Sequence, residues 1–276
     1  MKRFKWWFLI STIVLILMAS LTLALLGCAF LNTLKTPREI LRNIWALPTG
    51  ITLENYRILL FDESFIIYYK NSATISISVI ITAYISAMAA YALSKFEFKG
   101  RNLLKGYFII GLFFPIKLAI SSLYILMTQL HLTNKPIGLM ILYCSFVSMP
   151  VFVITGMMKT VPDSIIESAK IEGAGHIRIF NQMILPIAKP AIGAVVPLLF
   201  TSAWNDFMLP ATMLKNRDVY TVPLGITLYH MGTFYDISKL NLVFTSVILS
   251  ILPIVTIYLI FSKQIIAGVM SGSVKE

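Results

Sequence analysis

Charge is scarce in this sequence, and negative charge scarcer still. Only 13% of its 276 residues are Asp, Glu, Lys or Arg, about half the share of a soluble globular domain. Twelve acids stand against 23 bases, for a net charge of +11. Hydrophobic residues make up 58%, and mean hydropathy is +0.83. A chain this poor in polar side chains has too few of them to cover a water-facing surface. Cysteine is nearly absent. Cys28 and Cys144 both lie in apolar runs, which argues against a disulfide framework or a cysteine metal site. The three histidines, His131, His176 and His230, are scattered and form no zinc-binding pair. No Gly-Lys pair occurs anywhere, so a Walker A phosphate loop has no counterpart and no cofactor is expected in this chain. No basic cluster marks a nucleic-acid face, and no strand-like alternation marks a β-barrel. Nothing assembles a nucleophile, a base and an orienting group, so the chain does not read as an enzyme.

What is present is long apolar segments. About 20 such residues cross a hydrocarbon core of roughly 30 Å, and six segments qualify: Trp6–Leu34, Asn71–Ser94, Gly106–Asn134, Pro136–Met158, Ile187–Leu214 and Leu240–Ser262. The expected fold is therefore all-α, a polytopic membrane protein with six transmembrane helices. With the amino terminus inside, 13 of the 23 basic residues fall in inner segments and nine in outer ones, an inward bias that places both termini in the cytoplasm. The chain then divides into an amino-terminal membrane helix (1–34), an outer segment (35–70), a transmembrane core (71–262) with a cytoplasmic loop (159–189), and a cytoplasmic tail (263–276). Leu25-Leu26-Gly27-Cys28 also resembles a lipoprotein cleavage box. The apolar run is longer than the 7–15 residues of a signal sequence, so residues 1–27 are expected to be retained.

The loop between the fourth and fifth spans is too long and too patterned for a passive connection. Ser164-x-x-Glu167 reads as a capping box that starts a helix. At 100° per residue Ile165, Ile166, Ala169 and Gly173 share one arc, while Glu167, Lys170 and Glu172 lie outside it. Gly173 and Gly175 turn the chain. A second stretch follows with Ile177, Phe180 and Ile184 on one face, ended by Pro186. A helix of about ten residues is marginal alone, so its apolar arc needs a surface: a partner protein, or equally the chain's own spans and lipid.

Glu167-Ser168-Ala169, three residues to Gly173-Ala174, then Met183-Ile184-Leu185-Pro186 resembles the EAA loop of ABC importer permeases. Ser168 stands in place of the second-position Ala and Met183 in place of Ile. Trp204-Asn205-Asp206-Phe207 before Leu209-Pro210 resembles a stretch of the carbohydrate-uptake members. So do Leu53-Glu54-Asn55-Tyr56, Asn134-Lys135-Pro136-Ile137-Gly138 and the carboxy-terminal Gly268-x-x-x-Gly272-x-Val274-Lys275. The nearest group is the smaller, six-span permease of maltose-type importers. The resemblance implies a bacterial or archaeal cytoplasmic membrane, a second related permease, two cytoplasmic ATPase subunits that bind the ATP, and an extracytoplasmic sugar-binding protein. It also implies that Glu167, Ser168, Ala169, Glu172, Gly173, Ala174 and Pro186 meet the ATPase, with Glu167 pairing to a basic group there.

Inside the spans, Thr74, Ser78, Thr82 and Ser86 recur every four residues, a pattern for close helix packing or for a polar path. Tyr84, Tyr91, Tyr124 and Tyr143 offer faces on which a sugar could stack, or simply fill the core. Lys117 lies near the middle of the third span. A central Lys costs at least about 2.5–3.5 kcal/mol, so it should face a cavity, substrate or a partner, with Pro115 loosening the helix beside it. Lys117, Tyr84, Trp204 and Asn205 are the candidate pathway residues. Two rival readings remain: a permease for another solute class, which would share the loop, and an ion-coupled carrier, which would need intramembrane acids.

Overall fold

The computed structural model describes the backbone of residues 2–233 and 236–273, and the side chains of 6–232 and 236–266. Val274 and Lys275 of the carboxy-terminal pattern lie outside the described residues, as do the side chains around Gly268 and Gly272. Among the described residues all regular structure is helical: α1 (Lys2–Thr33), α2 (Pro37–Arg42), α3 (Glu54–Arg57), α4 (Phe65–Lys95), α5 (Arg101–Phe113), α6 (Ile120–Gln129), α7 (Pro136–Cys144), α8 (Ser148–Met158), α9 (Asp163–Ile171), α10 (His176–Ile179), α11 (Leu185–Ile187), α12 (Lys189–Trp204), α13 (Met208–Met213), α14 (Val222–Thr233) and α15 (Leu240–Ser273). Four stretches are long and apolar enough to cross a membrane: Trp6–Thr33, Phe65–Lys95, Pro136–Met158 and Ile237–Ile266. Two bent pairs, Arg101–Phe113 with Ile116–Gln129 and His176–Ile187 with Lys189–Trp204, bring the total to six if each is one span.

The departures from the expected spans have local causes. The second helix starts at Phe65, six residues before Asn71, because Ser64 takes φ 62° and turns the chain just ahead of it. The third span is not straight. Phe114 is extended (ψ 115°) before Pro115, the conformation a following proline favours, and the two halves meet at 87°. The fifth span enters through a 78° bend at Ala188 rather than starting freely at Ile187. Pro186 does not end the preceding helix. A π-helical turn at Phe180–Ile184 runs straight into α11, where Pro186 sits in the first turn and its missing N–H costs nothing.

The chain divides into two compact units, Met1–Ile66 with Gly225–Leu252 and Ile67–Leu224 with Pro253–Glu276. In the first unit, α1 is exposed along most of its length. Its end is tied down by polar groups. Lys35 is buried, and its ammonium donates to Asn32 Oδ1 (3.0 Å) and to the carbonyls of Ile44 (3.1 Å) and Asn43 (3.4 Å), so it serves as a hub for the turn that follows. A capping box opens α2: Thr36 Oγ1 accepts from Glu39 N, and Glu39 Oε2 accepts from Thr36 N at 2.8 Å. Asn55, the third residue of the Leu53–Tyr56 motif, is buried and donates to the carbonyls of Thr33 (2.6 Å) and Lys35 (2.9 Å), while its own oxygen accepts from Asn241.

In the second unit, Ser78, Thr82 and Ser86 are buried on α4. The Thr82 hydroxyl contacts the carbonyls of Ser78 (2.7 Å) and Tyr143 (3.2 Å), so the small polar stripe packs α4 against α7. Gly111 and Gly193 allow equally close approaches. A Cβ on Gly111 would sit 2.2 Å from Ser148 Oγ, and one on Gly193 2.6 Å from Gln264 Cγ. Asn134 adopts φ 58° and its side-chain oxygen accepts from Lys215 N and Asn216 N, which accounts for the first residue of the Asn134–Gly138 motif. At its last residue, a Cβ on Gly138 would collide with Leu132 O at 2.2 Å.

Candidate functional site

Two places in the second unit gather the residues singled out by sequence. The first is the helix–turn–helix of residues 159–189. α9 begins at Asp163 behind Pro162, which has no side-chain cap to offer. The expected capping box is therefore absent: Ser164 already lies inside the first turn, and the Glu167 side chain faces outward. Asp163 places a carboxylate at the helix start, where the backbone dipole favours it, and it accepts from Lys95 at 2.7 Å. The Lys95 ammonium also donates to the carbonyl of Val161.

The apolar arc of α9 is used by the chain itself. Ile166 and Ala169 are buried, Ile165 packs beside them, and they meet Tyr91, Met158, Val161, Ile179, Phe180 and Ile184. Burying a side chain the size of Ile166 contributes roughly 1.5–3 kcal/mol, which explains how so short a helix is held. The expectation that Ala169 forms part of an open docking arc is thus corrected. The open face is the opposite one, with Glu167, Ser168, Lys170, Glu172 and Gly173 exposed and Ile171 88% and Ile177 73% accessible. Ile177 likewise is exposed and not packed on the face it was expected to share with Phe180 and Ile184, and the π-helical turn breaks the 3.6-residue register between those two.

Gly173 ends α9 at φ +82°. Its N–H donates to Lys170 O, and that of Ala174 to Ala169 O, both at 2.9 Å, the two bonds of a Schellman turn. Ala174 is half-buried against the same core, whereas Pro186 is exposed.

A run of aromatic contacts joins this module to α4: Tyr84 on Phe180 (ring centres 5.6 Å apart), Phe180 on Tyr91 (5.8 Å), Tyr91 on Phe96 (5.2 Å) and Phe96 on His176 (4.8 Å). The Tyr84 hydroxyl donates to Asn181 Oδ1 at 2.9 Å. Tyr84 therefore belongs to the module, where the sequence placed it in a solute path. Neither Asn181 nor the Lys95–Asp163 pair was marked by sequence, since partners 97 and 68 residues apart leave no local pattern.

The second place is a cavity of about 540 Å³ lined by α4, the break after α5, α7 and the end of α12. Lys117, Tyr143, Asn205 and Asp206 line it, together with Thr82 and Phe207. The Tyr143 hydroxyl donates to Asp206 Oδ2 at 2.9 Å, and Oδ1 accepts from Met208 N (2.9 Å) and Leu209 N (3.4 Å), so Asp206 starts α13. Trp204, expected beside the path, is buried in the core, stacked on Phe200 at 5.4 Å. The stretch Trp204–Phe207 thus combines a core anchor with two cavity-lining polar groups. Among the described residues no group of histidines, cysteines and acids is arranged to hold a metal ion.

The model of the binding-protein-dependent transport system inner membrane component family matches residues 79–270. The chain belongs to this family. The relatives of this transport-system component include the diacetylchitobiose uptake system permease protein NgcG of Streptomyces coelicolor, 30% identical over 96% of this chain and 88% of that one. The arabinooligosaccharides transport system permease protein AraQ of Bacillus subtilis is 30% identical over 96% and 94%. The trehalose/maltose transport system permease protein MalG of Thermococcus litoralis is 34% identical over 81% of each chain. Among solved structures, a chain of a bacterial ABC transporter involved in the import of the acidic polysaccharide alginate superposes with a TM-score of 0.78 at 20% identity, covering 92% of this chain and 95% of that one. The family read from the EAA-like loop and the all-helical membrane fold are thereby borne out.

Proposed function

We propose that this chain is a permease subunit of a sugar-importing ABC transporter, working as half of a heterodimeric pore in the cytoplasmic membrane with both termini inside. A binding protein delivers the sugar from outside. Two ATPase subunits, which hold all the ATP, engage the 159–189 segment. The sugar assignment is supported by the relatives named for oligosaccharide uptake.

The observation that carries the coupling role is the division of α9 into two faces. One face is locked to α4 by the Lys95–Asp163 pair and the aromatic run, and the other leaves Glu167 and Ile171 uncovered, with Gly173 and Ile177 exposed just beyond the helix. Exposed isoleucines beside a carboxylate suit a groove with an apolar floor and a basic rim. When ATP closes the ATPase pair, a displacement of α9 is passed to α4, which also lines the cavity through Ser78 and Thr82. Two states of the bundle, biased by what binds each end, suffice for alternating access.

The test is cross-linking in working membranes. With Cys28 and Cys144 replaced by Ser, Ile171→Cys should join to the ATPase subunit in a nucleotide-dependent way, and uptake of a labelled oligosaccharide should require added binding protein. Cross-links that never reach an ATPase would end the coupling role. Uptake of ions or amino acids in place of sugars would end the substrate class.

A further inference from the structure

Lys117 stands at the broken third span with its side chain exposed to the cavity it lines. Among the described residues it has no hydrogen-bond or ion-pair partner, unlike Lys35, Lys95 and Lys239, each of which is satisfied within the chain. The carbonyl of Pro115 itself, two residues before the lysine, is taken by Leu118 N at 2.9 Å and not by the ammonium. An unpaired cation held among apolar helices is unfavourable, so its retention calls for a counter-charge. The other charged group lining the cavity, Asp206, is already engaged by the Tyr143 hydroxyl and two backbone N–H groups. Three donors on four lone-pair sites leave room for one more, and that place suits a neutral hydroxyl. Tyr143 and Phe146, 5.7 Å apart edge to face, and Phe207 supply apolar surface at the same cavity, and its volume falls within the roughly 300–1,000 Å³ of small-molecule sites.

We propose that this cavity receives an anionic sugar unit, a carboxylate-bearing residue of an oligosaccharide. Its carboxylate pairs with Lys117 Nζ, a ring hydroxyl donates to Asp206, and its apolar face lies against the aromatic rings. The proposal rests on the sugar-importer reading and narrows its substrate class. Lys117 supplies charge, while Asp206, fixed from behind by Tyr143, sets the direction in which the unit enters. A carboxylate turned the other way would meet Asp206 and be repelled.

The experiment uses the complete purified transporter, with companion permease and ATPase subunits, held in its nucleotide-bound state by a non-hydrolysable ATP analogue. Tryptophan fluorescence follows titration with two matched series of two to five units, oligogalacturonates and neutral malto-oligosaccharides. The uronic series should bind more tightly to the wild type. Lys117→Met and Lys117→Gln should weaken it about tenfold or more, equivalent to at least 1.4 kcal/mol, and bring it level with the neutral series. Lys117→Arg should retain most of the preference. Equal binding of the two series, unaffected by Lys117→Met, would overturn the anionic assignment and leave the sugar importer standing. Loss of the companion permease on purification of Lys117→Met would also overturn it, by making Lys117 a subunit contact. If neither series binds or stimulates ATP hydrolysis, the sugar reading falls as well.

Discussion

Lys95 donates to Asp163 Oδ1 at 2.7 Å, joining the last residue of α4 to the first residue of α9. The lysine side chain is almost fully covered, whereas the carboxylate is mostly open to solvent. An ion pair with one exposed partner contributes no more than about 1 kcal/mol. Its value here is geometric, because the same ammonium holds the carbonyl of Val161 and so fixes the entry to α9. Lys95→Met should leave the transporter assembled and ATP hydrolysis running, while the number of sugars imported per ATP falls about fivefold, the ratio that corresponds to about 1 kcal/mol. Adding Tyr84→Phe, which removes the bond to Asn181, should lower that ratio further. Uptake and hydrolysis falling together in both variants would show that α4 does not carry the coupling.

Gly173 separates the conformational from the docking role of the loop. At φ +82° any L side chain is strained, by roughly 1–2 kcal/mol, with Asn the most tolerant. A Cβ there meets nothing within 4 Å inside this chain. Gly173→Asn should therefore preserve the turn, and any loss of function must come from what approaches it from outside. Coupling is expected to fail in Gly173→Asn and Gly173→Asp alike, with membrane insertion intact, as read from ATPase activity and sugar uptake in the same vesicles. Full uptake by Gly173→Asn would reduce the glycine to a helix terminator.

The two capping boxes show how far sequence reaches. Thr36-Pro37-Arg38-Glu39 carries the signature with proline at the first helical position, and the box forms. Ser164-x-x-Glu167 carries the same spacing and does not, because Asp163 pairs with Lys95 and draws the helix start two residues earlier. A local pattern decides only where no distant partner competes. The same limit explains α9, whose apolar arc was legible while the surface that covers it was not: Tyr91 and Phe180 arrive from elsewhere in the chain. Lys117 was legible as anomalous from its charge alone. Its break and its cavity follow from Pro115 and from Asp206, 89 positions apart from the lysine.

Asn55 ties the end of α1 to the start of α15. Its amide donates to two carbonyls, and its oxygen receives the amide of Asn241, all in a buried place. Asn55→Leu would strand the carbonyls of Thr33 and Lys35 and the Asn241 amide without water. Each unsatisfied buried group costs about 1–3 kcal/mol. The variant should melt several degrees below the wild type in detergent, with trypsin cutting sooner at Arg38 and Arg42. Asn55→Asp, which keeps an acceptor for Asn241 but turns a buried carboxylate on the two carbonyls, should melt at least as low as Asn55→Leu. An unchanged melting point in Asn55→Leu would mean the network adds no stability.

Glu39 gives the segment of residues 35–70 a pH dependence of definite sign. Its carboxyl is held at about 2, below the ordinary 4.5, first by the Thr49 hydroxyl and then by the backbone N–H and hydroxyl of Thr36, against a smaller opposing desolvation. The folded segment therefore favours the ionised form. Its contribution is complete above pH about 4.5 and is lost as pH falls through the range down to about 2. Over that range the capping box opens and the exposed Leu41, Trp45 and Leu47 become sites for an acid protease. Pepsin cleavage between residues 36 and 50 should accelerate as pH is lowered from 4.5 to 2 in the wild type. In Glu39→Gln it should be rapid and, once divided by pepsin's rate on an unstructured peptide at each pH, flat across the same range, because a neutral amide accepts more weakly from Thr49 and has no proton to gain. A parallel acceleration in both proteins would place the pH response elsewhere in the chain and separate Glu39 from it.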